Sequence, residues 1–207
     1  MAAQSTNPSS QAPAHDPSSG ALPPVAVVVS RYNRTITEAL KLGAVEEYLR
    51  RGGSRESLAV IDVPGAFELP AIADAAAESG LYRGVCCLGC VIKGETSHDQ
   101  HINNAVAQGL MAISLRLGVP ATFGVLTTDT IEQAQARAGG SGPGAKGNKG
   151  AEAMGATLDA IAAIEAIEAA TDAERPGLTF TLGGPTTDKA TQTTSGRTAS
   201  SHTGGDS

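Results

Sequence analysis

No apolar run in this chain approaches the roughly 20 residues that a bilayer-spanning helix needs. PVAVVV and GVCCLGCVI are each interrupted or ended within about ten residues, so a soluble protein with no membrane partner is expected. Grouped cations are equally scarce. Fifteen basic residues against 21 acidic ones leave a formal charge of -6, which argues against a nucleic-acid surface, because a phosphate backbone is met by clustered Lys and Arg. Residues 1–20 contain no Arg and no basic region followed by an apolar one, so neither a transit peptide nor a secretory signal is expected. They read as a disordered arm. The tail, 173–207, closes on DKATQTTSGRTASSHTGGDS and reads likewise, because small polar residues bury too little surface to offset the entropy of ordering. One domain over 21–172 remains, and an apolar content of 41% suffices for its core.

Cysteine is limited to Cys86, Cys87 and Cys90. The C-x-x-C spacing resembles redox and zinc sites, but on a strand, residues three apart point to opposite faces. Cys87 and Cys90 then cannot share an ion, and Cys86 and Cys90 stand roughly 13 Å apart. The expectation is three small core residues in a reducing compartment, the cytoplasm.

What the chain does contain is alternation. VAVVVS is a continuous β-branched run, the mark of a strand buried on both faces. Thr35 and Glu38 have capping-box spacing, and Ile36, Leu40, Ala44 and Tyr48 recur every four residues until RRGG. SLAVIDV predicts a second strand, and Leu69 to Ser79 an alanine-rich helix. GVCCLGCVI predicts a third strand at the middle of a sheet, and Ser97 with Gln100 a capping box opening a helix to about Leu117. ATFGVLT follows as a strand and TIEQAQARA as a short helix begun by Asp129 or Thr130. A glycine-rich loop then leads to a last helix from Ala151 to Ala170. Strand and helix alternating at this pace predict βαβ units, a four-stranded parallel sheet and a three-layer α/β/α sandwich.

In such sheets ligands bind beyond the carboxyl ends of the strands. Those ends carry Arg31, Tyr32 and Asn33; Pro64 to Glu68; Lys93 to His98; and Thr127 to Asp129. With three Tyr and three Phe in the whole chain, Tyr32 and Phe67 at this edge suggest a stacking surface for a flat ring. KGETS entering a helix offers Gly94 for close approach, and the amides of Glu95, Thr96 and Ser97 in front of a helix dipole, which suit an anion. The same spacing also suits a plain helix cap. Glu95 would have to turn away from such an anion, so the positive charge must come from elsewhere, with Arg137 and Lys149 as candidates. His98 and His101 lie one turn apart, yet H-E-x-x-H is absent and no third ligand is evident, so no metal is expected and His98 reads as a proton carrier. No G-x-S-x-G elbow occurs at this edge.

VVVSRYN, VPGAFELP, CLGCVIKGETSH, FGVLTTDTIEQAQARAG and GNKGAEA follow in order and spacing the blocks of the lumazine synthases, and the resemblance covers about Val25 to Ala170. It implies a flavodoxin-like subunit, a homo-oligomer that is a pentamer or a shell of sixty subunits, active sites between subunits, small-molecule substrates and no cofactor. It implies the penultimate reaction of riboflavin biosynthesis, in which 5-amino-6-(D-ribitylamino)uracil condenses with 3,4-dihydroxy-2-butanone 4-phosphate. Carried over by position, Tyr32 would stack on the pyrimidine. Ala66, Phe67 and Glu68 would hold the ribityl chain, and Cys90, Val91 and Ile92 would run beside the uracil. Glu95 and Thr96 would form the phosphate turn, with His98 as acid–base. Phe123 and Arg137 would come from a neighbouring subunit, to the uracil and the phosphate respectively, and Lys149 falls on the family's lysine after GN. Between Arg137 and Lys149 the chain carries about four residues more than shell-forming members, which points to a free pentamer. A flavin-binding flavodoxin would need a glycine-bearing phosphate loop after the first strand, which SRYNRT lacks. A non-catalytic scaffold of the same fold is the alternative; it would be favoured by loss of Arg137, His98 or Glu68, and all three are present.

Overall fold

The computed structural model describes residues 21–141 and 144–172; the two arms expected to be disordered lie outside them. The elements run β1 (Val25–Ser30), α1 (Arg34–Arg50), β2 (Leu58–Val63), α2 (Leu69–Glu78), β3 (Gly84–Ile92), α3 (His98–Leu117), β4 (Ala121–Thr128), α4 (Ile131–Arg137) and α5 (Lys149–Asp172). All strand pairings are parallel, in the order β2-β1-β3-β4. That is the expected four-stranded sheet in a three-layer sandwich of flavodoxin-like order.

Burial explains why the strands read as they do. Every residue of β1 is buried and β3 is buried up to Ile92, because both are central, whereas edge strand β2 is largely half-buried. Alternate residues feed two cores. Val25, Val27, Val29, Cys86, Leu88 and Cys90 pack with α1, α4 and α5, while Ala26, Val28, Val85, Cys87 and Val91 pack with α2 and α3. The three cysteines are free and buried, split between those faces as strand geometry requires. Burial raises their thiols, Cys86 to about 12 and Cys90 to about 11, with Cys87 also well above the ordinary range.

Two capping expectations are corrected. Helix α1 starts at Arg34, before Thr35, and its N-cap is Asn33 in the left-handed region at φ 55°. The Asn33 side chain caps nothing, because its Nδ2 donates to Cys90 O at 2.9 Å. Ser97 does precede α3, but its hydroxyl makes no cap bond; its carbonyl accepts from Gln100 and His101 N–H groups. Thr130, rather than Asp129, caps α4 by accepting from Gln133 N–H. Helix α5 begins at Lys149, two residues before the expected start, because Asn148 Oδ1 accepts from Gly150 N–H at 2.8 Å and Ala151 N–H at 3.3 Å.

Candidate functional site

The carboxyl ends of β1, β2 and β3 converge because backbone bonds continue the ladders past the strands. Arg31 N–H donates to Val63 O and Lys93 N–H to Thr128 O, both at 2.8 Å. Above this edge lies a crevice of about 570 Å³ lined by Tyr32, Asn33, Gly65, Ala66, Phe67, Cys90, Val91, Ile92, Lys93, Gly94, Thr96, His98, Asp99 and Ile102. The predicted segments after the first three strands are thereby brought together. Tyr32 and Phe67 are 72% and 61% exposed, which leaves two aromatic faces open at the crevice. Phe67 owes its place to a 3-10 turn, Ala66–Glu68, that leads into Pro70 at the start of α2.

Another wall is the turn from β3 into α3. Residues 93–98 are all exposed, so Thr96, His98 and Lys93 reach the crevice without desolvation. His98 N–H donates to Thr96 Oγ1 at 3.4 Å, drawing the turn onto the helix start. Lys93 Nζ stands 3.8 Å from Asp129, across from the end of β4. The floor is the backbone of Cys90 to Ile92, with Asn33 holding the Cys90 carbonyl. Since burial keeps the Cys90 thiol protonated at neutral pH, it offers the site no nucleophile.

The remaining predicted residues do not line this chain's crevice. Glu68 borders it: a Cβ placed on Gly65, a wall residue, would lie 3.0 Å from Glu68 Oε2. Glu95 is exposed on the turn with its side chain outside the crevice. Phe123 pairs in register with Cys87, three residues before the Cys90 floor, and is 42% exposed. Arg137, at the end of α4, folds back to donate to Gln133 O at 2.9 Å. Lys149 pairs with Glu152 one turn along α5 at 2.5 Å. Sequence reasoning missed Asp99 and Ile102 as wall residues and Asn33 as the tie between β1 and β3. Ile102, Val106, Leu110 and Ile113 form the inward face of α3, and extending that spacing backward lands on Asp99, a signal present in the sequence.

A second cavity, of about 540 Å³, lies between α1, α4 and the loop after it, and Glu132 is its single ionisable side chain among the described residues. The first crevice combines an imidazole, an ammonium, a carboxyl group, hydroxyls and open aromatic faces, and is the stronger site for chemistry. Among the described residues no group of three or more His, Cys, Asp or Glu could hold a metal ion, and no helix is long and apolar enough to cross a membrane.

The family model for 6,7-dimethyl-8-ribityllumazine synthase matches residues 23–165. Proteins of that name are similar over most of the described chain. The one from Sulfurovum sp. is 48% identical over 135 residues, which is 65% of this chain and 84% of that protein. The Helicobacter pylori HPAG1 protein is 45% identical over the same length and shares. The Campylobacter jejuni subsp. doylei protein is 46% identical over 130 residues, 63% of this chain and 82% of its own.

Proposed function

The chain belongs to the 6,7-dimethyl-8-ribityllumazine synthase family and is an enzyme, a transferase of riboflavin biosynthesis; from this we propose how its own residues serve the reaction. The crevice takes 5-amino-6-(D-ribitylamino)uracil and 3,4-dihydroxy-2-butanone 4-phosphate side by side. The observation that carries this reading is the meeting of Tyr32, Phe67, the Cys90–Ile92 backbone and the Gly94–His98 turn in one cavity. The uracil lies against Tyr32 and along the Cys90–Ile92 floor. The ribityl chain follows Ala66, Phe67 and Glu68, and the phosphate rests on the Glu95–Thr96 amides in front of α3.

The 5-amino group attacks the ketone and loss of water gives an imine. Removal of the neighbouring proton expels phosphate, the resulting enol becomes a ketone, and the ribityl-bearing nitrogen attacks it and closes the ring with loss of water. Each step moves a proton, and His98, exposed at the crevice, is placed to carry it. Both reactants are intrinsically reactive, so most of the acceleration comes from holding them in register, which is worth up to about 7–11 kcal/mol.

Phe123, Arg137 and Lys149, which stand away from this chain's own crevice, serve the crevice of a neighbouring subunit in a cytoplasmic homopentamer. Exposed apolar side chains on α3 support self-association: Met111 is 60% exposed and Leu115, on the next turn, 79%. The long loop between Arg137 and Lys149 stops assembly at the pentamer. Purified protein mixed with both substrates should generate lumazine absorbance and fluorescence; binding of the substrates without product would overturn the catalytic reading.

A further inference from the structure

The inward face of α3 carries one residue that packing does not explain. Ile102, Val106, Leu110 and Ile113 recur at helical spacing, and the last three are at most 5% exposed against α2 and the sheet. Asp99, three residues before Ile102 and seven before Val106, continues the same face, where an apolar side chain would be expected. It lines the crevice, yet its Oδ1 is buried and has no hydrogen-bond partner. Asn103 Oδ1, one turn on, is in the same condition but does not line the crevice.

A buried acceptor without a donor weakens a fold, because the oxygen gives up its hydration and gains nothing in return. Such a group at a cavity wall is satisfied when a ligand brings the donor. We propose that Asp99 is a specificity-determining residue of this site, accepting hydrogen bonds from hydroxyls of the ribityl chain. Two observations select that ligand group. First, α3 packs against the Ala66–Glu68 turn, the segment given to the ribityl chain, and Asp99 and Phe67 line the same cavity. Second, a carboxyl group is a poor neighbour for a phosphate, whereas a polyol presents several O–H donors in a row. The proposal rests on the reading that the crevice takes ribitylaminouracil.

Function and packing predict opposite signs for the same substitutions. Asp99→Leu supplies the apolar side chain that the face lacks, so thermal stability of the unliganded protein should hold or rise. The KM for 5-amino-6-(D-ribitylamino)uracil should increase about 10- to 100-fold, the loss expected for one hydrogen bond to a charged acceptor. The KM for the butanone phosphate should stay within about twofold of wild type, and an aminouracil bearing an alkyl chain in place of ribityl should bind both proteins alike. Asp99→Asn, which retains an acceptor oxygen, should recover part of the lost affinity. A lower melting temperature with both KM values unchanged would make Asp99 a structural residue and overturn the proposal, as would an equal rise for both substrates. Turnover by the wild-type protein is the control that separates the two levels. Its absence defeats the parent reading, whereas wild-type turnover with an unresponsive Asp99→Leu variant defeats this one alone.

Discussion

Gly43 and Asn148 share one space. A Cβ on Gly43 would sit 2.3 Å from Asn148 Cγ, so helix α1 omits a side chain where the amide of Asn148 crosses it. From there Asn148 Nδ2 donates to Ala39 O at 2.8 Å and to Ala138 O at 3.4 Å, while Oδ1 caps α5. One amide therefore ties α1, the residue after Arg137 and the start of Lys149's helix. Gly43→Ala should displace it and cost about 1–3 kcal/mol by overpacking, and Asn148→Ala a similar amount through the lost cap and stranded carbonyls. Denaturant unfolding measures both, and a Gly43→Ala protein as stable as wild type would show that the amide has room to move.

Removing the imidazole tests how much of the chemistry is proton transfer. His98→Ala should lower kcat by no more than about 100-fold, the low end of general acid–base contributions, with both KM values nearly unchanged. A variant that binds both substrates normally and shows no turnover would contradict the dominance of alignment.

Arg137→Ala should act on the other term. The KM for the butanone phosphate should rise about 10- to 100-fold, as for loss of a charge-assisted bond, while that for the aminouracil stays constant. Co-expression with His98→Ala should restore part of the activity, because in the proposed arrangement mixed pentamers would contain crevices with His98 from one subunit and Arg137 from the next. No recovery would place both residues in the same subunit's site.

Assembly is read by light scattering. A mass of five subunits is expected, and a mass near sixty would refute the role given to the loop.

Alkaline pH tests the buried thiols. Their folded values, about 12 for Cys86, about 11 for Cys90 and well raised for Cys87, lie above those of an unfolded chain. The stability they contribute is complete below the ordinary thiol value of about 8.5 and is lost as pH rises through the folded values. Melting temperature should therefore fall progressively above about pH 9, and the native protein at pH 8 should leave a thiol reagent unreacted until denatured. Rapid labelling of the native protein at pH 8 would contradict this burial.

Much of this architecture was legible because parallel strands buried on both faces must be continuously apolar, as VAVVVS and GVCCLGCVI are. Placing a crevice at the strand ends then required only the order of elements. The helix starts were harder. Thr35 and Ser97 have the spacing of caps, but spacing does not reveal that Asn33 takes a left-handed conformation or that its amide is drawn to Cys90, 57 residues away. Asp99 was passed over beside His98 because its meaning lies in the burial of one oxygen, which depends on the neighbours the fold supplies.

The loop between Arg137 and Lys149 is pinched at its neck. Gly139 N–H donates to Gly147 O at 2.9 Å and Lys146 N–H to Ala136 O at 2.7 Å, with an isolated bridge joining Ala138 and Asn148. Gly140 N–H also donates to Gln135 O at 3.2 Å, so the loop leaves and rejoins the fold at neighbouring points. It is accordingly a graft point: a foreign peptide spliced between Ser141 and Gly144 would be carried in one copy on each chain, its two ends held together by the Gly139–Gly147 bond.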